Sequence, residues 1–180
     1  YRYGIERVEV YKVKKMASAL KNLSSYSENN IADINKKKFA IVVAEWNSEV
    51  TEALYTGALE TLMKYGATKD NIIKKYVPGS FELTLGAQWM AEQKEIDAVI
   101  CLGCVIQGDT KHFDFICQGV TYGITELNIS LSKPVIFAVL TTNTLQQAQE
   151  RAGGIHGNKG DEAAITALKM LGLRDKLNSK

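Results

Sequence analysis

Apolar residues along this chain switch repeatedly between two patterns. Phe39-Ala40-Ile41-Val42-Val43-Ala44 is a short continuous run rich in β-branched side chains, the mark of a strand covered on both faces. Behind it, Val50, Leu54, Ala58, Leu62 and Tyr65 recur at three- and four-residue spacing. That spacing predicts a helix opened by Asn47 or Ser48 as cap and stopped at Gly66. The change of period then repeats. Strands are predicted over 71–77, ended by Pro78-Gly79, over 97–105, and over 134–140 with Pro134 at its start. Helices are predicted from Ser80 through Ala91, over 114–130 where Gly119 and Gly123 loosen it, over 144–152 on a Thr-x-x-Gln capping form, and over 161–171. The glycine-rich stretch 153–160 is predicted as a loop.

The resulting order, β-α-β-α-β-α-β-α-α, predicts an α/β fold in which helices cover both faces of a parallel sheet. Such sheets present their ligand loops at the strand carboxyl ends. Residues 45–47, 77–82, 106–112 and 141–143 fall there. Residues 1–38 are the least regular, with weak alternation over 1–15 and a Ser- and Asn-rich stretch over 22–35. The chain divides into an N-terminal extension (1–38), a single domain (39–173) and a C-terminal tail (174–180), and the length of 180 residues fits one domain.

Composition narrows the class. Hydrophobic residues make up 46% of the chain, enough for a globular core. No apolar run approaches the roughly 20 residues that span a bilayer. Residues 1–15 lack the apolar centre and cleavage site of a secretory signal. A cytoplasmic protein with no membrane partner is expected. The net charge is +2, of which residues 1–15 hold +3, so the remainder carries −1. A near-neutral body argues against a nucleic-acid partner. Lys36-Lys37-Lys38 reads as a solvated lead-in to the first strand. Met16 resembles a natural start, and residues 1–15 are expected to be an extension without a function.

The three cysteines invite a redox or zinc reading that geometry opposes. Cys101 and Cys104 form a Cys-x-x-Cys inside a predicted strand, where positions three apart point to opposite faces. A reactive pair of this kind opens a helix, and no second pair completes a four-ligand metal site. Both read as buried small side chains, and Cys117 as a helix core residue. An odd number of reduced cysteines suits the cytoplasm.

The chemistry concentrates in residues 98–115, where a buried strand runs into Gly108-Asp109-Thr110 and at once meets His112. Backbone N–H groups of that bend can face an anion at a helix start, and an imidazole is the side chain best matched to proton transfer near neutrality. A small phosphorylated substrate and a proton-transfer group in one place are expected. Trp46, between a strand and a helix, is either a lid on the core edge or a stacking face for a flat ring. Phe81 reads as packing. Glu82 either complements a helix dipole or accepts bonds from substrate hydroxyls. Arg151 suits phosphate recognition, although alone it reads as a surface residue, as do His156 and Lys159. The glycine-rich stretch lacks the phosphate-loop pattern, no Gly-x-Gly-x-x-Gly follows a strand, and no cluster has metal spacing.

Four ordered motifs, however, resemble one family, the lumazine synthases: Glu45-Trp46-Asn47, Pro78-Gly79-Ser80-Phe81-Glu82, the Gly108-Asp109-Thr110-Lys111-His112-Phe113-Asp114 core, and the run from Glu150 to Gly160. The resemblance covers about 39–173. It implies a three-layer α/β/α sandwich whose central four-stranded parallel sheet has flavodoxin-like order, with room for an N-terminal strand added at a contact with a neighbour. It implies condensation of 5-amino-6-(D-ribitylamino)uracil with 3,4-dihydroxy-2-butanone 4-phosphate to 6,7-dimethyl-8-ribityllumazine, phosphate and water in riboflavin biosynthesis, with no cofactor and no metal. His112 matches the proton-transfer residue and Trp46 the aromatic that stacks on the pyrimidine. Ser80, Phe81 and Glu82 match the segment holding the ribityl chain, and Val105 and Ile106 the backbone contacts to the ring. Asp109 and Thr110 match the phosphate nest and Arg151 its cationic partner. Phe137 and Lys159 match further ligand-facing positions, with Phe137 and the 151–159 stretch reaching in from a neighbouring subunit. The family forms homopentamers, in some members twelve to a 60-subunit icosahedral shell, and the compact 153–160 stretch is compatible with a shell.

Three positions depart from the family pattern. Gln107 stands where arginine is common, Ile155 where lysine is frequent, and Asp109 sets a carboxylate beside a dianion, so that only its N–H would help. Two other readings remain open on these residues. One is a flavodoxin-like flavin- or lumazine-binding protein without condensation. The other is a shell protein with little catalysis. Riboflavin synthase activity is separable by assaying dismutation of lumazine.

Overall fold

A computed structural model of the chain describes residue 31 and residues 33–179. The expectations for residues 1–15, for most of 22–35 and for an added N-terminal strand lie outside these residues. The described chain runs β1 (Phe39–Ala44), α1 (Ser48–Lys64), a 3-10 turn (Lys69–Asn71), β2 (Ile72–Val77), α2 (Leu83–Ala91), β3 (Ala98–Ile106), α3 (His112–Leu131), β4 (Val135–Thr142), α4 (Leu145–Gln149), β5 (Ala152–Gly154), β6 (Gly157–Asn158) and α5 (Lys159–Asn178). The main sheet is four-stranded in the order β2-β1-β3-β4, and every pairing in it is parallel.

All six residues of β1 are buried, as a continuous apolar strand between two helical layers requires. One core packs α1, α4 and α5 on one face of the sheet through Leu54, Ala58, Leu62, Ala148, Leu168 and Leu171. The other packs α2 and α3 through Leu83, Ala87, Met90, Val120 and Ile124. The three-layer α/β/α sandwich is therefore present. Cys101 belongs to the α2–α3 core and Cys104 to the α1–α5 core, so the two thiols do face opposite sides. Burial pushes the Cys101 thiol up to about 12 and that of Cys104 to about 11. Among the described residues no helix is long and apolar enough to cross a membrane.

Several element ends differ from expectation. Helix α2 begins at Leu83 rather than Ser80, because residues 80–82 form the turn that leaves the sheet. Asn47 precedes α1, but its side chain caps nothing. Helix α3 starts at His112, which is thus its first residue and not part of the loop. Thr141 and Thr142 end β4 instead of opening a loop. Helix α4 stops at Gln149, and Thr144 caps it by accepting from the Gln147 N–H at 3.2 Å. The glycine-rich stretch holds a short antiparallel hairpin of β5 and β6 before α5 begins at Lys159. Helix α5 runs to Asn178, through most of the expected tail. Cys117 is half-buried on α3 rather than in a core.

Candidate active site

Strand order brings three of the loops at carboxyl ends to one rim. The loop after β1 is tied to that after β2 by two backbone bonds, Glu45 N to Val77 O at 2.9 Å and Trp46 N to Pro78 O at 3.1 Å. Between these loops and the end of β3 lies a cavity of about 520 Å³. Trp46, Ser80, Phe81, Glu82, Val105, Ile106 and His112 all line it, joined by Asn47, Cys104 and Ile116.

Each wall has a local cause. Ser80 lies against β3 because residue 103 is glycine: a Cβ there would stand 2.7 Å from the Ser80 Oγ. That hydroxyl is buried without a partner among the described residues, and a buried hydroxyl left unpaired is costly unless a ligand or water meets it. Phe81 rests on α3 where Gly119 leaves room, since a Cβ on Gly119 would come within 2.8 Å of its ring. Phe81 thus both packs and lines the cavity. The Glu82 carboxylate folds back over Gly79, whose Cβ would lie 3.1 Å from Oε2. Trp46 is 73% exposed, so its ring is a face offered to the cavity rather than a lid on the core.

His112 is exposed at the start of α3, and its backbone N–H donates to the Thr110 Oγ1 at 3.4 Å. Asp109 and Thr110 stand beside it on the exposed bend but outside the cavity wall. Gln107 is exposed on the same bend and donates from Nε2 to the Gly108 carbonyl at 2.8 Å.

The remaining expected residues are elsewhere. Phe137, Arg151 and Lys159 line a second cavity of about 650 Å³ along β4, between α3 and α5. No residue lines both cavities. Arg151 Nη1 donates to the Gln147 carbonyl at 2.9 Å, and Lys159 pairs with Glu162 at 2.7 Å. Ile155 is exposed in the β5–β6 hairpin. Sequence reasoning missed Glu162, although its position three residues after Lys159 on a helix carried the signal. It also missed Ile116, one turn beyond His112. Among the described residues no group of three or more His, Cys, Asp or Glu is arranged to hold a metal ion.

Known proteins similar to this chain share one name. The family model described as 6,7-dimethyl-8-ribityllumazine synthase matches residues 36–175. A 6,7-dimethyl-8-ribityllumazine synthase from Cytophaga hutchinsonii is 66% identical over 156 residues, covering 87% of this chain and 98% of the relative. Relatives of the same name from Parabacteroides distasonis and Porphyromonas gingivalis are each 58% identical, over 87% and 88% of this chain and 98% of their own lengths. Matched by the family model over most of its length and covering these relatives almost from end to end, the chain belongs to the 6,7-dimethyl-8-ribityllumazine synthase family.

Proposed function

We propose that the chain condenses 5-amino-6-(D-ribitylamino)uracil with 3,4-dihydroxy-2-butanone 4-phosphate, giving 6,7-dimethyl-8-ribityllumazine, phosphate and water in riboflavin biosynthesis. The observation that carries this reading is the rim cavity, where an aromatic face, an unpartnered buried hydroxyl and an imidazole share one wall. Trp46 stacks on the pyrimidine. The Ser80 hydroxyl and the 80–82 turn take the ribityl chain, and the backbone of Val105 and Ile106 meets the ring edge. The N–H groups of Asp109 and Thr110 hold the phosphate with Arg151. His112, one residue from that bend, moves protons as phosphate leaves.

The rate follows from positioning first. Aligning two reactants supplies up to ~7–11 kcal/mol, and one general acid–base group adds ~10²–10⁴-fold.

Phe137, Arg151 and Lys159 line the other cavity, and a neighbouring copy brings them to the rim. Helix α3 supports such association. Phe115, Tyr122 and Ile129 recur every seven residues on it and are 70%, 74% and 72% exposed, a stripe along one helix side of the kind that marks an interaction surface. The assembly is a homopentamer, with a 60-subunit shell as its larger form, and light scattering distinguishes the two. The enzyme works in the cytoplasm on small polar substrates. Mixing the purified protein with both substrates should produce lumazine absorbance. A yellow protein that forms no lumazine would overturn the reading in favour of a flavin-binding protein.

A further inference from the structure

Asn47 occupies the position where sequence places a helix cap, yet its side chain reaches across the sheet. Its Nδ2 donates to the backbone carbonyl of Cys104 at 2.9 Å. The residue is held at φ 60, ψ 45, in the left-handed region that asparagine tolerates better than most L-residues. Its own carbonyl accepts from Val50 and Thr51 at 2.9 and 3.1 Å. The Trp46 loop is therefore fixed from two directions: by backbone bonds to residues 77 and 78, and by this single amide to β3. Exposed as it is, Trp46 has little packing to orient it. Cys104 directly precedes Val105 and Ile106, on the same cavity wall.

We infer that Asn47 is a positioning residue for the pyrimidine substrate: its bond to the Cys104 carbonyl sets the spacing between the Trp46 face and the strand end at Val105 and Ile106. The inference rests on the reading that the pyrimidine occupies the rim cavity. The bond spans the ring's slot and touches nothing at the phosphate bend, so it acts on one substrate and not the other.

Two variants isolate the donor. Asn47→Gly keeps the left-handed backbone and removes the amide. Asn47→Asp keeps shape and backbone tolerance but sets a carboxylate against a carbonyl. Both are studied in a Trp89→Phe background, because Trp89 is exposed on α2 outside the cavity wall and its removal leaves Trp46 as the reporter. Titrating the pyrimidine alone should quench Trp46 fluorescence. Asn47→Gly should raise both the pyrimidine KM and the quenching Kd by roughly three- to tenfold, the size of one lost hydrogen bond, and Asn47→Asp should raise them further. The KM for the phosphorylated substrate should stay close to that of the parent, and each variant should keep one cooperative thermal transition, lowered only modestly. Equal rises in both KM values, or no change in either with an active parent, would overturn the inference. A parent that makes no lumazine overturns the activity instead, and the titration alone then decides: weaker quenching in the variants supports the role, while unchanged or absent quenching removes it.

Discussion

Lys159 Nζ and Glu162 Oε1 stand 2.7 Å apart on the first turn of α5, and both line the cavity along β4. The lysine's charge is therefore largely met within its own helix. Arg151, on the same wall, gives one N–H to Gln147, and its remaining guanidinium donors are the better match for a phosphate. Arg151→Ala should raise the KM for the phosphorylated substrate by an amount equivalent to about 1.5–3 kcal/mol and move the pyrimidine KM much less. Steady-state kinetics with each substrate varied in turn checks this, and equal effects would remove the phosphate role.

His112→Ala should slow the chemical step by ~10²-fold or more without abolishing it, because positioning survives the loss of one proton-transfer group. Single-turnover measurements read that step directly. An unchanged rate would take His112 out of the mechanism.

The separation of the two cavities makes a stronger test possible. On the proposed reading, His112→Ala and Arg151→Ala damage different halves of a site shared between copies. When the two impaired proteins are unfolded, mixed in equal amounts and reassembled, about a quarter of the contacts should pair an intact rim with an intact strand side, if neighbours meet head to tail. Activity should return to that fraction of the parent's. Mixtures no more active than their components would mean that both residues serve from one chain.

Lys74 lies against the rings of Tyr55 and Tyr76, 3.7 and 4.6 Å from their centroids, and donates to Glu52 at 2.7 Å. Burial pushes the Glu52 carboxyl up, but the bonds from Lys74 and Tyr76 outweigh it and leave the group below its ordinary value of 4.5. A carboxyl lowered by folding contributes stability above its unfolded value and loses it as pH falls through the folded one. Glu52→Gln should thus cost up to about 1 kcal/mol at pH 7, since the pair is partly exposed and screened. The difference from the parent should vanish under acid conditions. Denaturant midpoints across pH check it.

Thiol chemistry should single out one cysteine. With Cys101 and Cys104 buried and their thiols raised to about 12 and about 11, neither forms thiolate near neutrality. Cys117 is half-buried, and burial together with Asp114 raises its thiol too. The native protein should react slowly with iodoacetamide and at no more than one site per chain, while the unfolded protein should react at three. Mass spectrometry of the native adducts identifies the site.

What the sequence disclosed and what it hid divide along physical lines. Strands β1 and β3 were legible because apolar runs covered on both sides leave a dense local pattern. So was the rim, since Trp46 and Ser80 lie within three residues of a strand end and His112 closes the short bend after β3. Asn47 does stand at the capping position of α1, but a partner 57 residues away claims the side chain that local propensity assigns to the cap. The start of α2 was misplaced because the room made by Gly103 for Ser80 is a contact between distant positions. The far end of α5 was read as a tail, yet Arg174 is held to Asp97 at 2.8 Å and Asp175 to Lys37 at 3.1 Å, pairs no window of sequence contains. The hairpin of β5 and β6 is too short to carry a period. Arg151 and Lys159 came from a motif, and their place on a wall apart from His112 agrees with the expectation that they serve a neighbouring copy.

That separation also bears on how copies should join. On the proposed reading each chain offers two unlike ends, a rim that takes its cation from a neighbour and a strand wall that takes its imidazole from one. A row left open would carry one idle end of each kind, whatever its length. Curving the row until first and last copies meet makes those two leftovers into one more working centre, so closure is rewarded by turnover as well as by burial, and most strongly when the circle is small.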